Sequence, residues 1–328
     1  MTDRKYQVTG IGNAIVDVLS HCDESFITDE GMVKGTMALI DESQAATLYG
    51  KMGNNKTEMS GGSVANSLAG LAELGASTAF IGKVRNDQLG SSFRDGMESI
   101  GINFPTPAAT SGKPTARCLI SVTPDGERTM NTYIGACAEI SPEDIDIELI
   151  QNAEVMLIEG YLWDQEAAKQ AIRQAVEVAK QAGTKVAFSL SDIFCVDRHR
   201  DEFKALIRDY VDILFANEGE MISLGEQPTL RENMDMFAGQ VETLCTTRGE
   251  FGSIIVNDGT SYEIAPAKIE GRVLDLTGAG DLYAAGVLYG LTQGWDFVKS
   301  GELGSACAAD IIQQMGPRSQ QPLKRHVA

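Results

Sequence analysis

Asp275-Leu276-Thr277-Gly278-Ala279-Gly280-Asp281 is the stretch of this 328-residue chain whose residue types and order could carry chemistry. It follows an extended run over residues 269–274 and leads into Leu282-Tyr283-Ala284-Ala285-Gly286, small and apolar residues that read as a buried helix. The first amides of a helix have no internal partner, the helix dipole adds partial positive charge there, and glycine lets a large anion approach the backbone. Amides of Gly278, Ala279 and Gly280 would then form an anion hole, with Asp281 one turn in. A carboxylate beside a bound phosphate is costly unless it has work to do. The work that fits is taking a proton from a hydroxyl that attacks phosphorus. A plainer reading uses the same residues for close helix packing and ordinary dipole chemistry.

The rest of the chain must position these groups. Ser60-Gly61-Gly62-Ser63-Val64-Ala65-Asn66 opens a second helix, which runs to Leu74 and stops at Gly75. Its amides and the side chains of Ser63 and Asn66 could clamp the hydroxyls of a polyol. Ser63 as an N-cap explains the serine but not the doubled glycine. Residues 6–11 read as a first strand ending in Gly10-Ile11-Gly12-Asn13. A dinucleotide fingerprint is rejected, because Ile15 occupies the third glycine position and residues 15–19 look like another strand. Asn13 and Asp17 remain as polar groups at a strand end, where open α/β sheets keep their ligands, although turn chemistry would explain them as well.

Residues 116–123 and 127–134 alternate apolar and polar side chains around Pro124-Asp125-Gly126, a β-hairpin signal. With extended pieces near 15–22 and 37–41 they suggest a small antiparallel sheet apart from the main body, as a lid would be. Arg128 on this hairpin is a candidate phosphate clamp, or a solvated surface charge. From residue 138 on, strands at 155–159, 185–190 and 213–216 alternate with helices near 165–182 and 199–209, a parallel βαβ pattern. Asn217-Glu218-Gly219-Glu220 at a strand end could order magnesium-bound water, or simply start a helix. Arg248, Gly249 and Gly252 suit nucleotide phosphates, or a hairpin turn. A late helix is expected over 303–314.

Composition narrows the partners. A net charge of −19 argues against nucleic acid and anionic membranes. Six scattered cysteines without Cys-x-x-Cys and three isolated histidines argue against a zinc site or disulfide framework and for a reducing cytoplasm. No apolar run approaches a membrane span, and Met1-Thr2-Asp3-Arg4-Lys5 leads into a strand rather than a signal peptide. His199-Arg200-Asp201 is not a protein-kinase catalytic loop, since Leu206 stands where Asn is needed. None of the three Gly-Lys pairs is followed by Ser or Thr, so there is no P-loop.

Three segments occur in the order found in ribokinase-like (PfkB) sugar and nucleoside kinases: Gly61-Gly62-Ser63-Val64-Ala65-Asn66, Asn217-x-x-Glu220 and Asp275-x-x-Gly278-Ala279-Gly280-Asp281. The chain resembles that family over essentially its whole length. It looks most like the adenosine kinase branch, through residues 10–17, 123–130, Glu159-Gly160-Tyr161 and 313–318. The resemblance implies an α/β fold: a central, mostly parallel sheet flanked by helices, with a small antiparallel β lid. Residues 1–14, 42–104 and 138–328 would form the body, and residues 15–41 and 105–137 the lid.

The resemblance also implies roles. Asp281 would be the base acting on the primary hydroxyl of a ribose-containing substrate, with Gly278, Ala279 and Gly280 as anion hole and Arg128 closing from the lid onto the transferred phosphate. Asn13, Asp17, Gly62, Ser63 and Asn66 would hold sugar hydroxyls, and Tyr161 would stack on a base. ATP would lie near Arg248, Gly249 and Gly252, with Mg2+ held by Asn217 and Glu220 through water, and K+ by backbone carbonyls of Asp275 and Thr277. Two residues depart from the pattern: Leu276 replaces a loop-supporting Thr, and Thr277 stands where adenosine kinases carry Asn. Adenosine to AMP is the leading expectation, for a monomer or homodimer. The alternatives are a kinase of a free sugar such as ribose or fructose, and a non-catalytic nucleotide-binding protein.

Overall fold

The computed structural model describes residues 4–53 and 55–327; Met1, Thr2 and Asp3 of the expected charged start lie outside them. Thirteen strands among these residues form two sheets. The first seven are β1 (Tyr6–Ile11), β2 (Ile15–His21), β3 (Met37–Leu39), β4 (Thr57–Gly61), β5 (Thr78–Ile81), β6 (Ala116–Val122) and β7 (Arg128–Tyr133). Six more follow: β8 (Ala153–Glu159), β9 (Lys185–Ser189), β10 (Ile213–Asn217), β11 (Thr243–Thr247), β12 (Ser253–Asn257) and β13 (Thr260–Ile264).

The larger sheet runs β13-β12-β11-β10-β9-β8-β1-β5, parallel from β5 to β11 and antiparallel beyond. Its central strands are near-continuous apolar runs because helices cover both faces. Met156, Ile158, Phe188 and Leu214 pack on one side; Val155, Leu157, Ala187 and Ile213 pack on the other. The carboxyl ends of the parallel strands therefore open on one edge, the usual ligand edge of such sheets.

The smaller sheet runs β3-β7-β6-β2-β4. The expected β6–β7 hairpin is present, and β2–β4 is also antiparallel, but β3–β7 and β2–β6 are parallel. This sheet is mixed, and β4 comes from the 42–104 segment read as part of the body. Thr57-Glu58-Met59-Ser60-Gly61 carries no strand-like alternation. It extends where Gly61 passes over Asp17, so closely that a Cβ would lie 2.5 Å from Asp17 Oδ2. The strand expected over 269–274 is absent; that segment is irregular, with the amides of Leu274 and Asp275 donating to Ile312 O at 2.8 and 3.3 Å. β-branched residues there made an extended run legible, but no neighbouring strand takes up its backbone. No helix among the described residues is long and apolar enough to cross a membrane.

The helix Ala279–Thr292 is packed between Ser63–Leu74 and Phe297–Ile311. Its approach is set by absent side chains. A Cβ on Gly70 would meet Leu282 Cδ1 at 2.7 Å, and one on Gly286 would meet Gly304 Cα and N at 2.6 Å. Alanine for glycine inside a helix ordinarily gains about 1 kcal/mol. At Gly286 backbone blocks the methyl, so Gly286→Ala should instead destabilise by about 1–3 kcal/mol. A urea midpoint at or above that of the parent would contradict this packing.

Candidate active site

Gly278 starts the glycine-rich helix with φ +81°, a backbone conformation that glycine tolerates. No backbone partner engages the amides of Gly278 and Gly280 among the described residues. Ala279 departs from the expected anion hole: its N–H donates to Leu276 O at 3.2 Å in a tight turn. Asp281, in the first helical turn, accepts from Ser63 Oγ at 2.6 Å on Oδ1 and from Asn66 Nδ2 at 2.9 Å on Oδ2. The two glycine-rich helix starts found in the sequence thus meet on one carboxylate. Burial raises the pKa of Asp281, while Ser63, Asn66 and the Arg318 charge pull it back.

Gly62 caps the second helix with φ +99°, and a Cβ there would lie 2.2 Å from Asn13 O. Val64 N–H at that helix start donates to Glu159 Oε2 at 2.9 Å. Glu159 Oε1 accepts from Asn13 N at 2.9 Å and Asn13 Nδ2 at 2.7 Å. The side-chain amide of Asn13 is thus engaged by Glu159, and the residue lines the acceptor-side cleft rather than the cavity that holds Asp281. Glu159 is a site residue that the role assignments missed, although it was quoted as a branch pointer; its signal was an acid ending an otherwise apolar strand. Burial pushes its pKa up to about 7 against these three donors.

Alternation brings one face of the small sheet over this carboxylate. Asp17 of β2, Cys118 and Ile120 of β6, and Arg128, Met130 and Thr132 of β7 line a cavity of about 440 Å³ together with Gly62, Ser63, Asn66 and Asp281. Asp17 has its pKa raised to about 6 by burial, opposed by Arg128 and Arg318. Arg128 Nη1 donates to Asp275 Oδ2 and, at 3.0 Å, to Thr277 Oγ1. Its Nε and Nη2 are buried without a partner among the described residues. Asp275 also accepts from Thr277 N, Thr277 Oγ1 and Gly316 N. Arg128 of the small sheet is thus fastened to the glycine loop by side chains of Asp275 and Thr277, the pair expected to act through backbone carbonyls.

A second, largely apolar cavity of about 580 Å³ adjoins the first across Thr247, Leu276, Ala279, Gly280 and Tyr283. Arg248, Gly249 and Gly252 line it. Arg248 Nη2 already donates to Phe251 O at 3.1 Å and Glu263 Oε2 at 2.7 Å. Gly252 turns at φ +79°, where a Cβ would strike Ile264 O at 2.1 Å. Asn217 and Glu220 border the first cavity but cap each other: Asn217 Oδ1 accepts from Glu220 N, and Glu220 accepts from Asn217 N and Nδ2, all within 2.7–2.9 Å. On the acceptor side the cavity widens into a cleft of about 660 Å³ lined by Met37, Leu39, Tyr161 and Phe194. Tyr161 is 41% exposed there, with its hydroxyl donating to Ser191 O at 3.3 Å.

Residues 38–324 match the family described as pfkB family carbohydrate kinase. The chain belongs to the pfkB family of carbohydrate kinases. An adenosine kinase structure from Sinorhizobium meliloti is 43% identical, with a TM-score of 0.89 over 99% of this chain and all of that one. A 5-dehydro-2-deoxygluconokinase from Clostridium botulinum (strain Alaska E43 / Type E3) is 28% identical over 280 residues, 81% of this chain and 82% of the relative. An adenosine kinase from Schistosoma mansoni, solved in complex with 2-fluoroadenosine, is 20% identical with a TM-score of 0.83 over 97% of this chain and 98% of that one. At that identity it speaks for the ribokinase-like fold alone. The pfkB kinase is therefore a phosphotransferase acting on an alcohol.

Arg128 carries both the lid tie and two unpartnered donors, so its removal should act on turnover and on lid motion together. Arg128→Ala should lower kcat/KM by about 10²–10³, the cost of one donor aimed at developing charge. It should also speed tryptic cleavage of the β6–β7 hairpin. Unchanged kinetics would show that Arg128 only holds the lid.

Proposed function

We propose that this pfkB kinase transfers the γ-phosphoryl group of ATP to the primary hydroxyl of a ribose-containing acceptor, with adenosine as substrate and AMP as product. The observation carrying this reading is the position of Asp281, beside the polar cavity that could hold sugar hydroxyls and one residue from Gly280 in the wall of the apolar cavity that could hold a nucleotide. In the reaction the acceptor oxygen attacks the γ-phosphorus, the bond to the β,γ-bridging oxygen breaks, and Asp281 takes the hydroxyl proton. The transition state is loose, so catalysis rests on positioning and charge. Amides of Gly278 and Gly280 and the unpartnered donors of Arg128 face the charge on the transferred group.

Magnesium would neutralise the β- and γ-oxygens. Asn217 and Glu220 suit water-mediated contact with it, since their oxygens already bind each other's N–H groups and Mg2+ keeps several waters. K+ would lie at backbone carbonyls of Asp275 and Thr277. A reducing cytoplasm is the compartment proposed, on the six scattered cysteines of the sequence. Adenosine is preferred over a free sugar because the cleft beyond the hydroxyl site offers apolar and aromatic surface that a bare sugar does not need. The second reading, a free-sugar or sugar-acid kinase, is favoured by the curated relatives named 5-dehydro-2-deoxygluconokinase.

The test is ATP consumption with Mg2+ and K+ against adenosine, inosine, ribose, fructose and 5-dehydro-2-deoxygluconate separately. Turnover on adenosine with AMP formed is expected; turnover on a sugar alone selects the second reading, and silence on all five overturns the kinase assignment for these acceptors. Asp281→Asn should lose about 10²–10⁴ in kcat while keeping the parent's circular dichroism and melting temperature. Because burial raises the Asp281 pKa and the base must be ionised, activity should fall as pH drops through a limb lying above the ordinary aspartate value of about 4. A limb at that ordinary value would remove the argument from burial.

A further inference from the structure

Residues 313–318 have no part in the mechanism so far, yet they touch both halves of the site. Gly316 N–H donates to Asp275 Oδ2 at 2.9 Å. Pro317 lies against Gly278, whose Cβ, if present, would be 3.0 Å from Pro317 Cβ. One residue on, Arg318 enters the other glycine-rich turn. Its Nε and Nη2 both donate to Ser60 O, at 2.9 and 2.7 Å, and Nη2 also to Ser60 Oγ at 3.1 Å. Nη1 donates to Ala65 O at 2.9 Å, and Nη2 lies 3.7 Å from Met97 Sδ.

Every acceptor of the Arg318 guanidinium is neutral. A guanidinium held by carbonyls keeps its whole field, whereas Arg128 is offset by Asp275 at direct contact. The carboxylates that feel the Arg318 charge are Asp17, Glu73 and Asp281. We propose that Arg318 is a positioning residue for phosphoryl transfer. It fixes the 60–65 turn from which Ser63 and Asn66 reach Asp281, and supplies the positive charge that lets Asp17 and Asp281 face one cavity. The proposal rests on the reading of Asp281 as the base.

Two features separate this from a fold-stabilising arginine. Its bonds span both sides of the Gly61-Gly62 turn, so only a fork of donors can hold Ser60 and Ala65 together. Its charge also acts at the two carboxylates without bonding to either. The other titratable groups near Asp281 are Glu159 from β8, Glu220 from the helix after β10 and the Tyr161 phenol. Arg128 faces Asp17 from β7, and Asp275 adds negative charge there. Arg318 is thus the one cation in this set that opposes negative charge at Asp281.

The experiment uses the full chain with 13C-carboxyl-labelled aspartate, the Asp17 and Asp281 signals being assigned from Asp17→Asn and Asp281→Asn. In Arg318→Met both signals should titrate about one pH unit higher than in the parent, and kcat/KM should fall about tenfold with its acid limb moved up. Arg318→Lys should return the midpoints towards the parent's, because the charge is kept. Its KM should stay raised, because one ammonium cannot reproduce the fork. Parent-like midpoints in Arg318→Met, with only the melting temperature lowered, would overturn the proposal. If Arg318→Met fails to fold, parent-like KM in Arg318→Lys overturns it instead. A parent protein that phosphorylates no acceptor defeats the kinase reading, and the carboxylate titrations still decide the charge half of this one.

Discussion

In the proposed reading of Asp281 as the base, a carboxylate that must stay anionic beside an arriving polyphosphate is the constraint on which the rest of the structure depends. Asp281 is half-buried, and the packing around it removes part of the solvent that would stabilise its charge. Ser63 and Asn66 replace that solvent with fixed donors, one on each carboxylate oxygen. Those donors come from a different helix, so the two helix starts must be held in register to within a hydrogen bond. Glu159 fixes one start through Val64 N–H and Asn13, and Gly70 lets the helices close until Leu282 and Ala285 touch its backbone. The packing of the core and the state of one carboxylate are therefore the same problem.

The chain carries a net charge of −19, so cations at the site cannot be a by-product of a basic surface. They are placed singly, and each is placed differently. Arg128 comes from the small sheet, is tied to Asp275 and Thr277, and keeps two donors unpartnered. Arg318 comes from the end of the chain and is satisfied by neutral acceptors. In the proposed roles, the first arrangement would let a cation exchange an internal partner for a phosphate, and the second would give a constant field.

Much of this was legible in the residues. The glycine pairs at 61–62 and 278–280 mark helix starts because few other residues fit there, and alternation in residues 116–134 marked the hairpin. The parallel strands announced themselves by being apolar on both faces. What was not legible depends on partners distant in sequence. β4 is a strand because of β2, not because of its own composition, and the 269–274 run is not one because nothing pairs with it. Asn13 and Asn217 illustrate the same limit: each is a polar residue at the ligand edge, and each has its side chain engaged by a glutamate whose position sequence spacing alone reveals only for Glu220, three residues on.

The Arg128–Asp275 contact bears on how such a site opens. Asp275 accepts from Arg128, Thr277 and Gly316 at once, so the lid hairpin, the glycine loop and the 313–318 segment converge on one carboxylate. A polyphosphate arriving at Gly278 and Gly280 would compete with Asp275 for the same guanidinium, since Arg128 Nη1 also reaches Thr277 next to Gly278. Charge-assisted bonds to phosphate and to carboxylate are of similar strength, so exchanging one for the other changes the energy little while it changes the geometry. A lid held by such an exchangeable bond can shift between partners without first leaving its charge bare in a buried place. Under the proposal that the small sheet acts as a lid, a buried ion pair, a poor source of net stability in itself, is a sensible fastening for it.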